Sequence, residues 1–177
     1  MNYDVIIIGA GPGGIYSAYE LIKLKPELKV AIFESGHPLE KRHCPIDGEK
    51  IKSCVGCKHC SIMSGFGGTL YEHVGKKKAL ELMHYVDEIN MSHGGEGTHL
   101  YTTAGSKFKK LCIQNKLNLL DASVRHLGTD RNYVVLTNLY NELKDKVDIF
   151  FETPVDDLSV VDGGYEITCQ NGNKYTC

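Results

Sequence analysis

The chain has 177 residues, 42% hydrophobic and 24% charged, an ordinary globular balance with enough length to bury one core. Its 20 basic and 22 acidic side chains leave a net charge of −2, which gives no electrostatic ground for nucleic acid or an anionic membrane as partner. No apolar run is long enough to cross a bilayer, and a start carrying Asp4 and turning glycine-rich after Ile8 does not fit a secretory signal, so the expected location is cytoplasmic.

Tyr3 to Ile8 is a β-branched run without alternation, the pattern of a central strand in a parallel sheet, buried on both faces. Ile15, Ala18, Tyr19 and Ile22 then fall at helical spacing between Gly13 and Leu24, and Pro26 ends the helix. Val30 to Phe33 is a second strand closing on Glu34, so the opening is a βαβ unit with parallel strands and a right-handed crossover. Residues 36–68 are rich in Gly, Cys, Lys and His and read as a structured loop. A helix is predicted from Lys76 to Asn90, with Ala79, Leu82, Met83, Val86 and Ile89 on one face and Gly94-Gly95 stopping it. Its opening lysines, 76 to 78, read as a solvated helix start.

A further helix begins at Ser106 with Phe108, Leu111 and Cys112 inward, and Leu117 to Val124 reads as extended. Gly128-Thr129-Asp130 is a turn with an N-cap residue, opening a helix that carries Tyr133, Leu136, Tyr140 and Leu143. Val147 to Phe151 is a strand. Thr153 to Cys177 reads as a β-meander, with turns at Asp162-Gly163-Gly164 and Asn171-Gly172. The parts are thus a βαβ unit over residues 1–35, the loop over 36–68, a mainly helical segment over 69–146, and a strand with meander over 147–177.

Gly9, Ala10, Gly11, Pro12, Gly13 and Gly14 satisfy G-x-G-x-x-G between the first strand and the helix. The three required glycines serve a tight turn, close approach of a pyrophosphate, and helix-to-strand packing, while the helix start offers N–H groups and partial positive charge. Glu34 lies 20 residues past Gly14, where a carboxylate accepts bonds from ribose hydroxyls, and Ser35 beside it joins the candidate set. The fingerprint serves NAD and FAD alike; its place at the N-terminus favours FAD.

Of seven cysteines, Cys44, Cys54, Cys57 and Cys60 are bunched, the last three as C-x-x-C-x-x-C. An odd, clustered set fits reduced thiols better than a secreted disulfide framework. The spacing leaves three readings open: iron–sulfur or zinc ligands, a redox dithiol, or structural thiols packing a loop. His59 within the motif reads as a surface hydrogen-bonder, and Cys112, Cys169 and Cys177 as inert.

The glycine turn, Glu34, Arg42-His43-Cys44-Pro45, the spaced cysteines, Ile62 to Gly68 (I-M-S-G-F-G-G) and Arg125 to Asp130 (R-H-L-G-T-D) together resemble one family. It is the bacterial and archaeal group of FAD-dependent dehydrogenases also labelled NAD(FAD)-utilising dehydrogenases. The resemblance implies an α/β, Rossmann-like FAD-binding fold of the glutathione-reductase type, a parallel sheet with a β-meander. It also implies that the first turn holds the pyrophosphate, Glu34 the adenosine ribose, Arg42 the pyrophosphate, and the Val155 backbone the adenine, and it admits NAD(P)H as electron donor.

Family members continue after S-G-F-G-G with a glycine-rich stretch that Thr69-Leu70-Tyr71 replaces here, and go on to a returning strand and a flavin-contacting segment. The expectation is therefore an incomplete fold, an N-terminal portion with an internal deletion, whose open sheet edges favour self-association or a partner chain. Three functions follow: an FAD-dependent oxidoreductase or its FAD-binding part, acting on an unidentified small-molecule substrate; a non-catalytic nucleotide-binding fragment; or an iron–sulfur or zinc protein. No catalytic acid or base is assigned. His126 reads as a turn residue, and Thr129 and Asp130 as helix caps.

Overall fold

The computed structural model describes residues 1–45, 52, 74–119, 123–125 and 127–177, apart from the side chains of Lys76, Val124, Thr129 and Asp130. Cys54, Cys57, Cys60, His59, residues 62–68 and His126 lie outside the described residues. The chain divides into two compact units, Met1–Gly67 with Leu136–Cys177, and Gly68–Val135.

The first unit opens with strand β1 (Val5–Ile8), helix α1 (Pro12–Leu24) and strand β2 (Val30–Phe33). Proline suits the first helical position because the N–H it lacks would have no helical partner there. The helix buries Ile15, Ala18, Tyr19 and Ile22, the face its spacing predicts. β1 and β2 pair in parallel from Val5↔Val30 to Ile8↔Phe33, and β2 pairs in parallel with β5 (Asp148–Phe150).

The sheet order β1-β2-β5 corrects one expectation: among the described residues β2, not β1, has strands on both sides. All four residues of β2 are accordingly buried, whereas Ile8 at the end of β1 is 56% exposed. A β-branched run reports β-propensity, but the number of neighbours around a strand sets its burial.

Strands β6 (Val155–Val161), β7 (Gly164–Cys169) and β8 (Lys174–Thr176) form the predicted antiparallel meander. The Tyr3 amide donates to the Thr176 carbonyl at 2.9 Å, tying β8 to the N-terminus. Because side chains alternate along a strand, Ala31 and Phe33 face one way and Val30 and Ile32 the other. Ala31 and Phe33 pack with Tyr3, Ile167, Cys169 and Tyr175 into a core between sheet and meander. Phe33 stacks on Phe150 at 4.8 Å between centroids.

Tyr3 anchors that core. It is 2% exposed, and its hydroxyl donates to Asp148 Oδ2 at 2.8 Å. Burial, and then the Asp148 carboxylate, push its phenol up to about 12. A group that holds its proton more tightly when folded contributes stability below its unfolded value, near 10, and loses it as pH climbs toward 12. The loss is on the order of 1–3 kcal/mol. Urea unfolding at pH 9 and pH 11.5 checks this: Tyr3→Phe should lose less stability than wild type over that interval, and an equal loss would refute the assignment.

The second unit contains helix α2 (Lys76–Asn90), a widened turn at Met91–Gly95, strand β3 (Leu100–Thr102), helix α3 (Lys107–Gln114), and strand β4 (Ser123–Arg125). Gly94 stops α2 as predicted, at φ 109. β3 and β4 pair antiparallel. Arg125 donates to Asp87 through Nε at 2.8 Å and Nη2 at 3.1 Å, and through Nη1 to the Thr98 carbonyl at 2.5 Å, fastening β4 to α2.

Helix α4 (Gly128–Leu143) belongs to the first unit from Leu136 onward. Thr129 and Asp130 fall within its first turn, and their side chains lie outside the described residues. Its buried face is Val135, Leu136, Leu139 and Leu143, and Tyr133, expected inward, is 42% exposed.

Helix α3 overturns a second prediction. Phe108 and Leu111 are 65% and 54% exposed, Cys112 is half-buried, and none of residues 107–114 is buried. The spacing made the helix correctly; the period of a pattern marks a face without stating what packs on it. On α2, Ala79 and Ile89 are buried as predicted, but Leu82 is exposed. Among the described residues no helix is long and apolar enough to cross a membrane.

Candidate dinucleotide site

The site lies where β1 and β2 end. Gly9 has φ 96, a left-handed conformation that glycine adopts without penalty, and its amide donates to the Phe33 carbonyl at 2.7 Å. The turn is thereby laid against the end of β2. Gly11 caps α1 with an extended backbone, and the first turn of the helix carries no acidic residue of its own at its positive end. The first amides of any helix have no partner within it.

The three motif glycines answer to different constraints. A Cβ on Gly14 would stand 1.9 Å from the Gly9 carbonyl oxygen and 3.2 Å from Ile7 Cγ2, so helix and strand touch here through bare backbone. Among the described residues, a Cβ on Gly11 or Gly13 would meet nothing within 4 Å. Gly14 is thus glycine for packing, whereas Gly11 meets no packing constraint among the described residues.

Glu34 sits at the end of β2. Its amide donates to the Phe150 carbonyl at 2.8 Å, and its carbonyl accepts from the Thr153 amide at 2.9 Å. The carboxylate bridges two loops: Oε2 accepts from the Ala10 amide at 2.7 Å, and Oε1 from the Gly36 amide at 2.6 Å. An ionised carboxylate offers about four acceptor positions, of which these two bonds take two among the described residues. The Arg42 guanidinium Nη2 lies 4.0 Å from Oε1, the two side chains being 15% and 14% exposed.

Glu34→Gln tests the bridge. An amide presents one NH2, which would face either the Ala10 or the Gly36 N–H and leave a donor unpaired, costing about 1–3 kcal/mol. A lower melting temperature of the protein without ligand is expected, and an unchanged one would mean that the bridge carries no weight.

The structure brings together Gly9 to Gly14 and Glu34, and adds Arg42. Arg42, expected at the pyrophosphate, has Nε on the His37 carbonyl at 2.5 Å and stands beside Glu34. Ser35 is exposed on the next position. Val155 opens β6 two residues past Thr153, half-buried, with its side chain against the core. Sequence reasoning missed Gly36, His37, Lys41 and Glu152. None belongs to a motif, and a glutamate carries no signal for the left-handed backbone that Glu152 adopts at φ 53.

Cys44 is a half-buried free thiol beyond Arg42. Cys169 is buried in the meander core, which pushes its thiol up, and Cys112 and Cys177 are half-buried free thiols. Among the described residues no group of three His, Cys, Asp or Glu could hold a metal ion.

No protein-family model matches the chain. It is similar to thiamine thiazole synthase of Yarrowia lipolytica, 58% identical over 33 residues, which are 19% of this chain and 10% of that protein. It is 28% identical to thiamine thiazole synthase of Phaeosphaeria nodorum over 115 residues, 65% of this chain and 28% of that protein. The chain thus spans well under two thirds of the length of these relatives.

Among solved structures it is similar to NikD, an unusual amino acid oxidase essential for nikkomycin biosynthesis. That match covers 99% of this chain and 49% of NikD at TM-score 0.53 and 12% identity. The likeness is one of fold. A halogenase, PltM, solved in complex with FAD, matches 99% of this chain and 32% of its own at TM-score 0.49 and 18% identity. The fold is a mixed α/β one with a parallel sheet, as expected.

Proposed function

We propose that this chain binds FAD and is the FAD-binding portion of an FAD-dependent oxidoreductase, of the glutathione-reductase fold type and the NAD(FAD)-utilising dehydrogenase family. The observation that carries the reading is the Glu34 bridge. It joins the glycine turn to β2 through the Ala10 amide, next in sequence to Gly11, where a Cβ would meet nothing within 4 Å among the described residues. The cradle fits a diphosphate flanked by a ribose: bare glycine faces, a helix start without an acid, and a carboxylate on the neighbouring strand. The fold shared with an amino acid oxidase agrees with this reading.

In this proposal the residues divide the work. The amides around Gly11 to Gly14 and the positive end of α1 hold the pyrophosphate, and Glu34 accepts from the ribose hydroxyls. Arg42 balances the charge of Glu34 and reaches toward the phosphates, while the backbone at Val155 meets the adenine. When bound, the flavin supplies hydride or electron transfer, with NAD(P)H as donor and a small molecule as substrate. A cytoplasmic location, and completion of the sheet by a partner chain or a second copy, belong to the same proposal.

The absorption spectrum of protein purified without oxygen tests it. The expected result is the two-banded spectrum of oxidised flavin, with FAD released on denaturation. A colourless, metal-free preparation that takes up no added FAD would overturn the proposal. A broad brown band surviving flavin removal would instead favour a cluster on the cysteines at 54, 57 and 60.

A further inference from the structure

Two non-glycine residues among those described have positive φ, Lys116 and Glu152. The left-handed region crowds the Cβ of any side chain against the backbone, so a glutamate held there calls for a reason. At residue 152 the reason is visible. Its amide donates to the Gly36 carbonyl at 3.0 Å. Its carboxylate turns onto the same loop, with Oε1 2.5 Å from His37 Nδ1 and Oε2 3.5 Å from Lys41 Nζ. A carboxylate only accepts, so Nδ1 of His37 carries the proton. That hydrogen bond, and next the Lys41 charge, hold the Glu152 carboxyl below the usual carboxylate range.

The contacts form a chain. Glu152 grips His37 and Lys41, the His37 carbonyl accepts from Arg42 Nε, and Arg42 stands beside Glu34. Gly36, whose carbonyl Glu152 takes, donates its amide to Glu34. One residue remote from the glycine turn therefore ties down both ends of the loop that completes the ribose side of the site.

We infer that Glu152 is a positioning residue, clamping the loop from Gly36 to Arg42 so that Glu34 and Arg42 are held ready for the adenosine ribose and diphosphate. This rests on the function proposed above. The clamp is electrostatic and half-exposed, so salt weakens it, whereas a packing role would be insensitive to salt.

Glu152→Gly separates the two roles, since glycine accepts the left-handed backbone freely but deletes the carboxylate. Three measurements decide: the melting temperature without ligand, amide hydrogen exchange over residues 36–42, and ADP affinity at low and high salt. The expected result is a melting temperature close to wild type, faster exchange at the Gly36 and Arg42 amides, and ADP binding weaker by about three- to tenfold, the size two half-exposed pairs can supply. That difference should shrink at high salt, and Glu152→Gln, which keeps the acceptor without the charge, should fall between. Wild-type exchange in the glycine variant, or an affinity loss that persists at high salt, would overturn the inference. Should wild type bind no ADP, the FAD reading fails and the exchange measurement alone decides the clamp: faster exchange upholds it and unchanged exchange overturns it.

Discussion

Gly14→Ala is expected to lower the melting temperature of the protein without ligand by several degrees. Alanine is the better helix former by about 1 kcal/mol, and at an ordinary helical position the change would stabilise. Here the new Cβ would lie 1.9 Å from the Gly9 carbonyl oxygen, which belongs to backbone and cannot rotate away. Helix α1 must move off β1, loosening the packing of Ile15 and Ala18. Overpacking of this kind costs about 1–3 kcal/mol and occasionally more, so the clash outweighs the propensity. For a chain of this size each kcal/mol of net loss corresponds to about 2–4 °C, so a net loss of about 1–2 kcal/mol lowers the melt by several degrees. A melt of the alanine variant at or above wild type would mean that α1 and β1 do not meet through Gly14.

Gly11→Val should behave differently, abolishing FAD retention at only a small cost to the stability of the unliganded protein. The Gly11 backbone, at φ −73 and ψ −174, is extended and open to any residue, and a Cβ there meets nothing within 4 Å among the described residues. Valine is a poorer N-cap than glycine, but with no backbone strain and no displaced neighbour the loss of stability should stay at about 1 kcal/mol or below. The same open space is where the proposed diphosphate would lie. An isopropyl group there would block its approach to the amides, and each charged hydrogen bond lost is worth about 1.5–3 kcal/mol. Two such bonds amount to a hundredfold or more in affinity, about 1.4 kcal/mol being a factor of ten. The pair of variants thus separates a glycine kept for packing from one kept for a ligand, by melting curves and FAD titration on the same preparations.

The βαβ opening was legible because three signals agreed: a β-branched run, a glycine turn and an acid 20 residues on. The meander was legible from its turn residues. What stayed hidden depends on contacts between distant segments. The placement of β5 beside β2 is a long-range pairing that no local pattern announces. The outward face of α3 shows the same limit, since Phe108 and Leu111 have helical spacing but are exposed. Within the candidate site, Glu34 could be picked by spacing, but its bonds to the Ala10 and Gly36 amides could not. Glu152 was hidden most deeply, because its conformation runs against its own preference and only the loop it grips explains it.

Competition for bound FAD tests the central claim most directly, because the turn and Glu34 are argued to grip the ADP half of the cofactor and not its ring. FAD fluorescence is followed as ADP or FMN is added to the loaded protein. The account predicts that ADP displaces FAD while FMN, which lacks the adenosine diphosphate, does not. Displacement by FMN with no effect of ADP would contradict it.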